Sequence, residues 1–204
     1  MEKRKMPEKK DLFIVRLKLE DLLILLEFTA GVLSTYCSNR DDLNKALAAL
    51  IVATVLYFIA STYARRKGGG AATGFTRALN GFVSGLVFLV APSIFMYHWH
   101  YNGIFESVVL FVFMLCGIVR IAAFEYFGTR EDCFKYYYTG MPVFWSPLIV
   151  AVFYAASNYT GRTAINTALS AILILFSFLM VLNADIKFLH KPKAWVVKNE
   201  NKKK

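Results

Sequence analysis

The chain has 204 residues, of which 57% are hydrophobic and 19% are charged, and its mean hydropathy is +0.46. This composition excludes a water-soluble globular domain and a disordered chain, because both carry more charge and less apolar surface. The net charge of +10 comes from basic residues in short segments beside apolar runs, where they contact the anionic face of a bilayer. The sequence therefore predicts an integral membrane protein that contacts membrane lipids and has no nucleic-acid partner.

Six apolar runs each approach the roughly 20 residues that a helix needs to cross a bilayer. They predict an all-α, polytopic membrane protein with six transmembrane helices. We place these spans at residues 20–37, 44–64, 78–97, 103–123, 139–157 and 163–186. Before the first span, residues 11–19 alternate apolar and basic side chains, which predicts an amphipathic segment lying on the membrane surface.

The basic residues lie almost entirely on one side of the predicted helices. Of the 24 Lys and Arg residues, 21 fall on the side of the two termini, and the other side keeps Arg40, Lys45 and Arg162. The positive-inside rule places both termini in the cytoplasm. The predicted organisation has three parts. A basic cytoplasmic N-terminus with its surface segment covers residues 1–19, a six-helix membrane domain covers residues 20–187, and a basic cytoplasmic tail covers residues 188–204.

A basic, glycine-rich loop follows the second predicted span. Arg65, Arg66 and Lys67 come directly before three glycines, at residues 68–70. Glycines let a backbone approach a phosphate closely, and neighbouring cations favour an anion. Two interpretations stay open from the loop alone: a cytoplasmic anion pocket, or a flexible loop that carries ordinary positive-inside charges.

The residues around this loop resemble the signature of the CDP-alcohol phosphatidyltransferase family, and within it the phosphatidylserine synthase branch. Ala64-Arg65 matches the Ala-Arg of that signature, and Ser84, Phe88 and Ala91-Pro92 reproduce the spacing of its last part. Three further stretches are similar to the family in the expected order: Cys116–Phe124 (CGIVRIAAF), Tyr138–Pro142 (YTGMP) and Leu179–Val181 (LMV). The resemblance covers about residues 17–188. It implies a six-helix fold that binds a CDP-activated lipid.

The four signature aspartates are replaced in this chain. The resemblance aligns them with Tyr57, Ala60, Asn80 and Ser84, and no Asp or Glu occurs between residues 43 and 105. In the family these carboxylates hold a divalent metal at the CDP pyrophosphate, and the last serves as the base on the incoming alcohol. Because Mg²⁺ and Mn²⁺ prefer carboxylate oxygens, the resemblance implies that the metal cofactor is not retained and that no residue is catalytic.

Five cations remain near the aligned site, and we predict that they bind the phosphate of a ligand. They are Arg65, Arg66, Lys67, Arg77 and Arg120. The leading hypothesis is a catalytically inactive relative, a pseudoenzyme, that keeps the fold as a homodimer or a heteromer. It would bind a phospholipid or a CDP-type ligand, or act as a partner subunit for another membrane protein.

Two alternatives remain. Glu27 lies inside the first predicted span, where an ionisable residue costs free energy and therefore suggests a function. A structural ion pair or hydrogen bond would also account for it. With Asp21, or with a carboxylate of a partner chain, Glu27 would replace the lost acids in an active CDP-lipid headgroup transferase. The other alternative is a purely structural subunit whose basic face serves only to orient it.

Overall fold

The computed structural model describes residues 17–66, 74–127, 130–132, 135–182 and 185–187. Helices make up most of this part of the chain. In chain order the elements are α1 (Leu19–Asn39), α2 (Leu43–Arg66), α3 (Gly74–Gly85), a π-helical turn (Leu86–Val90), α4 (Ala91–His98), α5 (Ile104–Phe127), β1 (Arg130–Asp132), β2 (Lys135–Thr139), a 3-10 turn (Val143–Trp145), α6 (Ser146–Ala156), α7 (Arg162–Val181) and β3 (Asp185–Lys187).

Five helical segments of the described chain are long and apolar enough to cross a membrane. They are Leu19–Asn39, Leu43–Tyr63, Phe75–His98, Ile104–Phe124 and Arg162–Val181. Large apolar side chains such as Leu26, Phe111 and Phe178 stay exposed on these helices, as expected where lipid is the solvent. The predicted all-α, polytopic membrane architecture is confirmed.

The fifth predicted span, residues 139–157, is shorter in the structure. Its apolar helical segment is Val143–Ala156, and 14 residues of helix rise about 21 Å, against the roughly 30 Å of a hydrocarbon core. The helix starts late because Gly140 has a positive φ of 83° and Pro142 is extended. This segment therefore packs against the bundle without the full length of a span.

A small antiparallel sheet, which the sequence analysis did not predict, lies at one end of the bundle. Its strand order is β1-β2-β3, with Glu131 opposite Tyr136 and Tyr138 opposite Ile186. The sheet joins the chain that follows α5 to the chain that follows α7. Helix α7, which corresponds to the sixth predicted span, ends at Val181, before the predicted residue 186. Residues 11–16 of the predicted surface segment (residues 11–19) lie outside the described residues, as does the tail from residue 188.

The third span, formed by α3, the π-helical turn and α4, is the centre of the bundle. More than half of it (56%) is buried, against at most 39% of the other four spans. Gly31 of α1 lies so close to Val87 that a Cβ at Gly31 would come 2.8 Å from the Val87 Cγ2 atom. The other side of the third span contacts α5, where Gly117 lies against Leu89. The third span therefore fixes the positions of its neighbours.

Pro92 explains both the π-helical turn and a hydrogen bond from α6. A proline has no N–H group and its ring clashes with the carbonyl four residues earlier, which here is the carbonyl of Phe88. The helix widens into the π-helical turn just before Pro92, and the Ser146 hydroxyl donates to the Phe88 carbonyl. Ser146 thus joins the short helix α6 to the centre of the bundle.

Replacement of Ser146 by alanine is expected to destabilise the protein by about 1 kcal/mol, because it leaves the Phe88 carbonyl without this donor. The measurement is the midpoint of thermal unfolding in detergent. Ser157→Ala is the matched control, since the Ser157 hydroxyl bonds the Tyr154 carbonyl of its own helix and joins no two helices. Equal midpoints for the two variants would contradict this role of Ser146.

Candidate functional site

One pocket lies where α2, α3, α5 and the segment before α6 meet. Its cavity volume is about 40 Å³, and it is partly open to the surroundings. The residues that line it come from all four segments: Tyr57, Asn80, Ser84, Arg120, Ile121, Phe124, Pro142, Val143 and Phe144. The pocket therefore depends on the packing of the third span against its neighbours and on the late start of α6.

Arg120 gives the pocket its charge. Its side chain is 6% exposed although it lies inside a predicted membrane span, a location where a cation is expensive and points to function. The Arg120 Nη2 atom donates to the Gly140 carbonyl at 3.3 Å, and the guanidinium carbon lies 5.6 Å from the centre of the Phe124 ring. Among the described residues that line the pocket, Arg120 supplies the positive charge and none is acidic.

Three neutral polar residues line the pocket together with Arg120. Asn80 and Ser84 are four residues apart on α3, so both side chains lie on one face of that helix. Tyr57 approaches from α2, and its ring packs against the rings of Phe88 and Phe144, with centres 5.1 and 5.6 Å apart. The pocket wall thus combines an amide, two hydroxyl groups and an aromatic cluster.

The structure brings together three of the four positions at which the resemblance expects aspartate: Tyr57, Asn80 and Ser84. The fourth, Ala60, is buried on α2 and is absent from the residues that line the pocket. These positions come from two consecutive helices, α2 and α3, and they line one cavity together with Arg120 of α5.

The other predicted phosphate ligands are placed differently. Arg65 and Arg66 form the end of α2, with side chains outside the described part of the structure, and Lys67 lies wholly outside it. Arg77 is exposed on α3, less than one turn before Asn80. Arg120 is the predicted phosphate ligand that lines the pocket.

Glu27 and Asp21 are both buried on α1 and do not line the pocket. Glu27 lies one helical turn before Gly31, on the face of α1 that packs against Val87. Neither carboxylate oxygen of Glu27 has a hydrogen-bond partner among the described residues, while one oxygen of Asp21 accepts from the Lys18 N–H at 2.9 Å. Both acids are therefore buried outside the pocket lining, and Glu27 lies on the face of α1 that contacts the third span.

The pocket also contains residues that the sequence analysis did not select. Ile121, Phe124, Pro142, Val143 and Phe144 form its apolar side. Phe124 and Pro142 occur in the stretches that resemble the family, and this resemblance could have identified them as site residues. No sequence pattern could have identified Phe144, because its place in the pocket depends on the contact between its ring and that of Tyr57 on another element.

No metal cluster is apparent in the described part of the chain. Among its His, Cys, Asp and Glu residues, no group of three or more is arranged to hold a metal ion. The pocket itself offers oxygen atoms of an amide and of hydroxyl groups beside a guanidinium.

The comparisons with known proteins give one distant relative. The chain is 27% identical over 167 residues to the archaetidylserine synthase of Methanothermobacter thermautotrophicus, an alignment that covers 80% of this chain and 66% of that protein. That relative belongs to the CDP-alcohol phosphatidyltransferase family. No family model and no solved structure matches the chain. The chain is therefore similar to an archaetidylserine synthase, in agreement with the resemblance of its motifs.

Proposed function

We propose that this membrane protein binds a phosphate-bearing lipid, either a phospholipid or a CDP-activated lipid, in the pocket around Arg120, and that it has lost phosphotransferase chemistry. The observation that carries this proposal is the composition of the pocket wall: Arg120 meets three aspartate-aligned positions, and all three are neutral. Similarity to archaetidylserine synthase supports the class of ligand.

A phosphate suits this pocket because a guanidinium matches its geometry. Arginine presents planar, paired N–H donors that bind phosphate through two hydrogen bonds, and such charge-assisted bonds are strong in an apolar environment. Asn80, Ser84 and Tyr57 add neutral donors that tolerate a negative charge. The apolar side, with Phe124 and Phe144, suits the adjoining acyl or isoprenoid chain.

The loss of chemistry follows from the same side chains. Headgroup transfer in the family uses a divalent metal on carboxylates, and Mg²⁺ and Mn²⁺ bind amide and hydroxyl oxygens beside a guanidinium poorly. An attacking alcohol also requires a proton acceptor, usually worth about 10²–10⁴-fold in rate. Asn80 and Ser84 are not bases at neutral pH. The pocket can therefore bind a phosphate-bearing lipid but lacks the groups that headgroup transfer requires.

The topology of the proposed function follows from the charges. The pocket lies beside the end of α7, because Gly140, two residues before Pro142 of the pocket, lies against Met180 and Leu182. In the sequence, basic residues concentrate before α1 and after α7. We assign this end of the bundle to the cytoplasmic side by the positive-inside rule, and we propose that the positive charges of Arg65, Arg66, Lys67 and Arg77 attract an anionic headgroup to that side. A homodimer or a heteromer with another membrane protein completes the proposal.

An active headgroup transferase is the second candidate, and Glu27 is the observation that favours it. Its carboxylate is fully buried without a hydrogen bond from any described residue, which is unusual for a group with only a packing role. The enzyme would then bind Mn²⁺ or Mg²⁺ and lose that metal on Glu27→Gln, as elemental analysis would detect.

Arg120→Ala is expected to weaken binding of a short-chain CDP-diacylglycerol by about 10- to 100-fold, because charge-assisted hydrogen bonds to the phosphate are lost. The affinity is measured by calorimetric titration in detergent. Arg162→Ala is the control, since Arg162 is an exposed cation at the far end of the bundle, at the start of α7. Equal affinities for the two variants would contradict the proposed site.

The purified chain is expected to make no phospholipid from CDP-diacylglycerol or CDP-archaeol and serine, with Mn²⁺ or Mg²⁺ present, because the pocket wall has no acid for metal or proton. Product is followed with radiolabelled serine. The archaetidylserine synthase of Methanothermobacter thermautotrophicus provides the positive control. Turnover above a detergent blank would overturn the loss of chemistry and favour the second candidate.

A further inference from the structure

Gly140 occupies a tightly constrained position between the sheet and the pocket wall. It follows the last residue of β2, which pairs with the first residue of β3, and it precedes Pro142 of the pocket by two residues. Its φ of 83° lies in the left-handed region that side chains disfavour. The residue is buried, so its backbone contacts are determined by its neighbours.

The backbone of Gly140 lies between the end of α7 and Arg120. A Cβ at this position would be 2.6 Å from the Met180 carbonyl oxygen, 3.2 Å from that of Leu182 and 3.3 Å from the Arg120 Nε atom. The next residue is tied down as well, because the Met141 N–H donates to the Leu179 carbonyl at 3.0 Å. A side chain at Gly140 therefore has to displace either α7 or the guanidinium.

The carbonyl of Gly140 contacts Arg120 directly. It accepts a hydrogen bond from the Nη2 atom, one of the nitrogens that carry the five N–H donors in the rigid plane of the guanidinium. A bond to one nitrogen of a planar group restricts the directions in which the other N–H groups can point. The same glycine thus supplies both the space and the acceptor that set the orientation of Arg120.

We propose that Gly140 is a positioning residue for Arg120, whose carbonyl and missing side chain orient the guanidinium toward the phosphate of the bound lipid. This inference rests on the proposed function and deepens it. A purely structural role for Gly140 differs in one consequence: its effect on binding would then be independent of Arg120.

The test is a double-mutant cycle on binding of short-chain CDP-diacylglycerol, measured by calorimetric titration in detergent. Gly140→Ala is expected to weaken binding by about 10-fold, and the Gly140→Ala, Arg120→Ala double variant to bind no more weakly than Arg120→Ala alone. Gly161→Ala is the matched control, because Gly161 has a φ of −60° and no atom within 4 Å of a Cβ built there. An unchanged affinity for Gly140→Ala, or losses that multiply in the double variant, would overturn the inference.

Arg120→Lys provides a second test that leaves Gly140 intact and removes no charge. An ammonium group cannot hold the carbonyl and a phosphate in one rigid plane, so binding is expected to weaken by about 10-fold. Affinity equal to that of the unaltered protein refutes positioning. If Arg120→Ala weakens binding while Gly140→Ala and Arg120→Lys do not, the positioning role of Gly140 is refuted and the proposed function stands. If Arg120→Ala changes nothing, the proposed function fails with it.

Discussion

A guanidinium buried among apolar helices must be compensated by hydrogen bonds or by an anion, and this constraint governs the pocket. Arg120 is almost fully buried, and one of its nitrogens bonds the Gly140 carbonyl. The carbonyl is available there because the chain makes a left-handed turn at Gly140 and starts α6 late. The end of β2, the segment that precedes α6 and the pocket wall thus meet at Gly140, whose carbonyl contacts the buried charge.

The neutral residues that line the pocket with Arg120 also contribute to the packing of its wall. The Tyr57 ring is part of a cluster with Phe88 and Phe144, and such aromatic contacts contribute to packing beyond the area they bury. An aspartate there would lose these contacts and place a carboxylate beside apolar rings. This neutral, aromatic wall supports the proposal that the protein binds a lipid without transferring its headgroup.

Hydropathy was sufficient to predict the long spans, because a run of about 20 apolar residues is typical of a membrane-crossing helix and rare in water-soluble proteins. It overestimated the span at 139–157, where Gly140 and Pro142 prevent helix formation despite apolar neighbours. The motif resemblance found Asn80, Ser84 and Arg120, which the fold brings together. The place of Phe144 in the pocket and the direction of the Glu27 side chain depend on contacts between different elements. A local sequence pattern therefore could not predict them.

The most direct test of the account is a crystal structure of the protein with bound short-chain CDP-diacylglycerol and Mn²⁺, with diffraction recorded at the manganese absorption edge. The account predicts a phosphate within hydrogen-bond distance of Arg120 and no anomalous peak among Tyr57, Asn80 and Ser84. A manganese peak at those residues, with the phosphate bound to the metal, would contradict it.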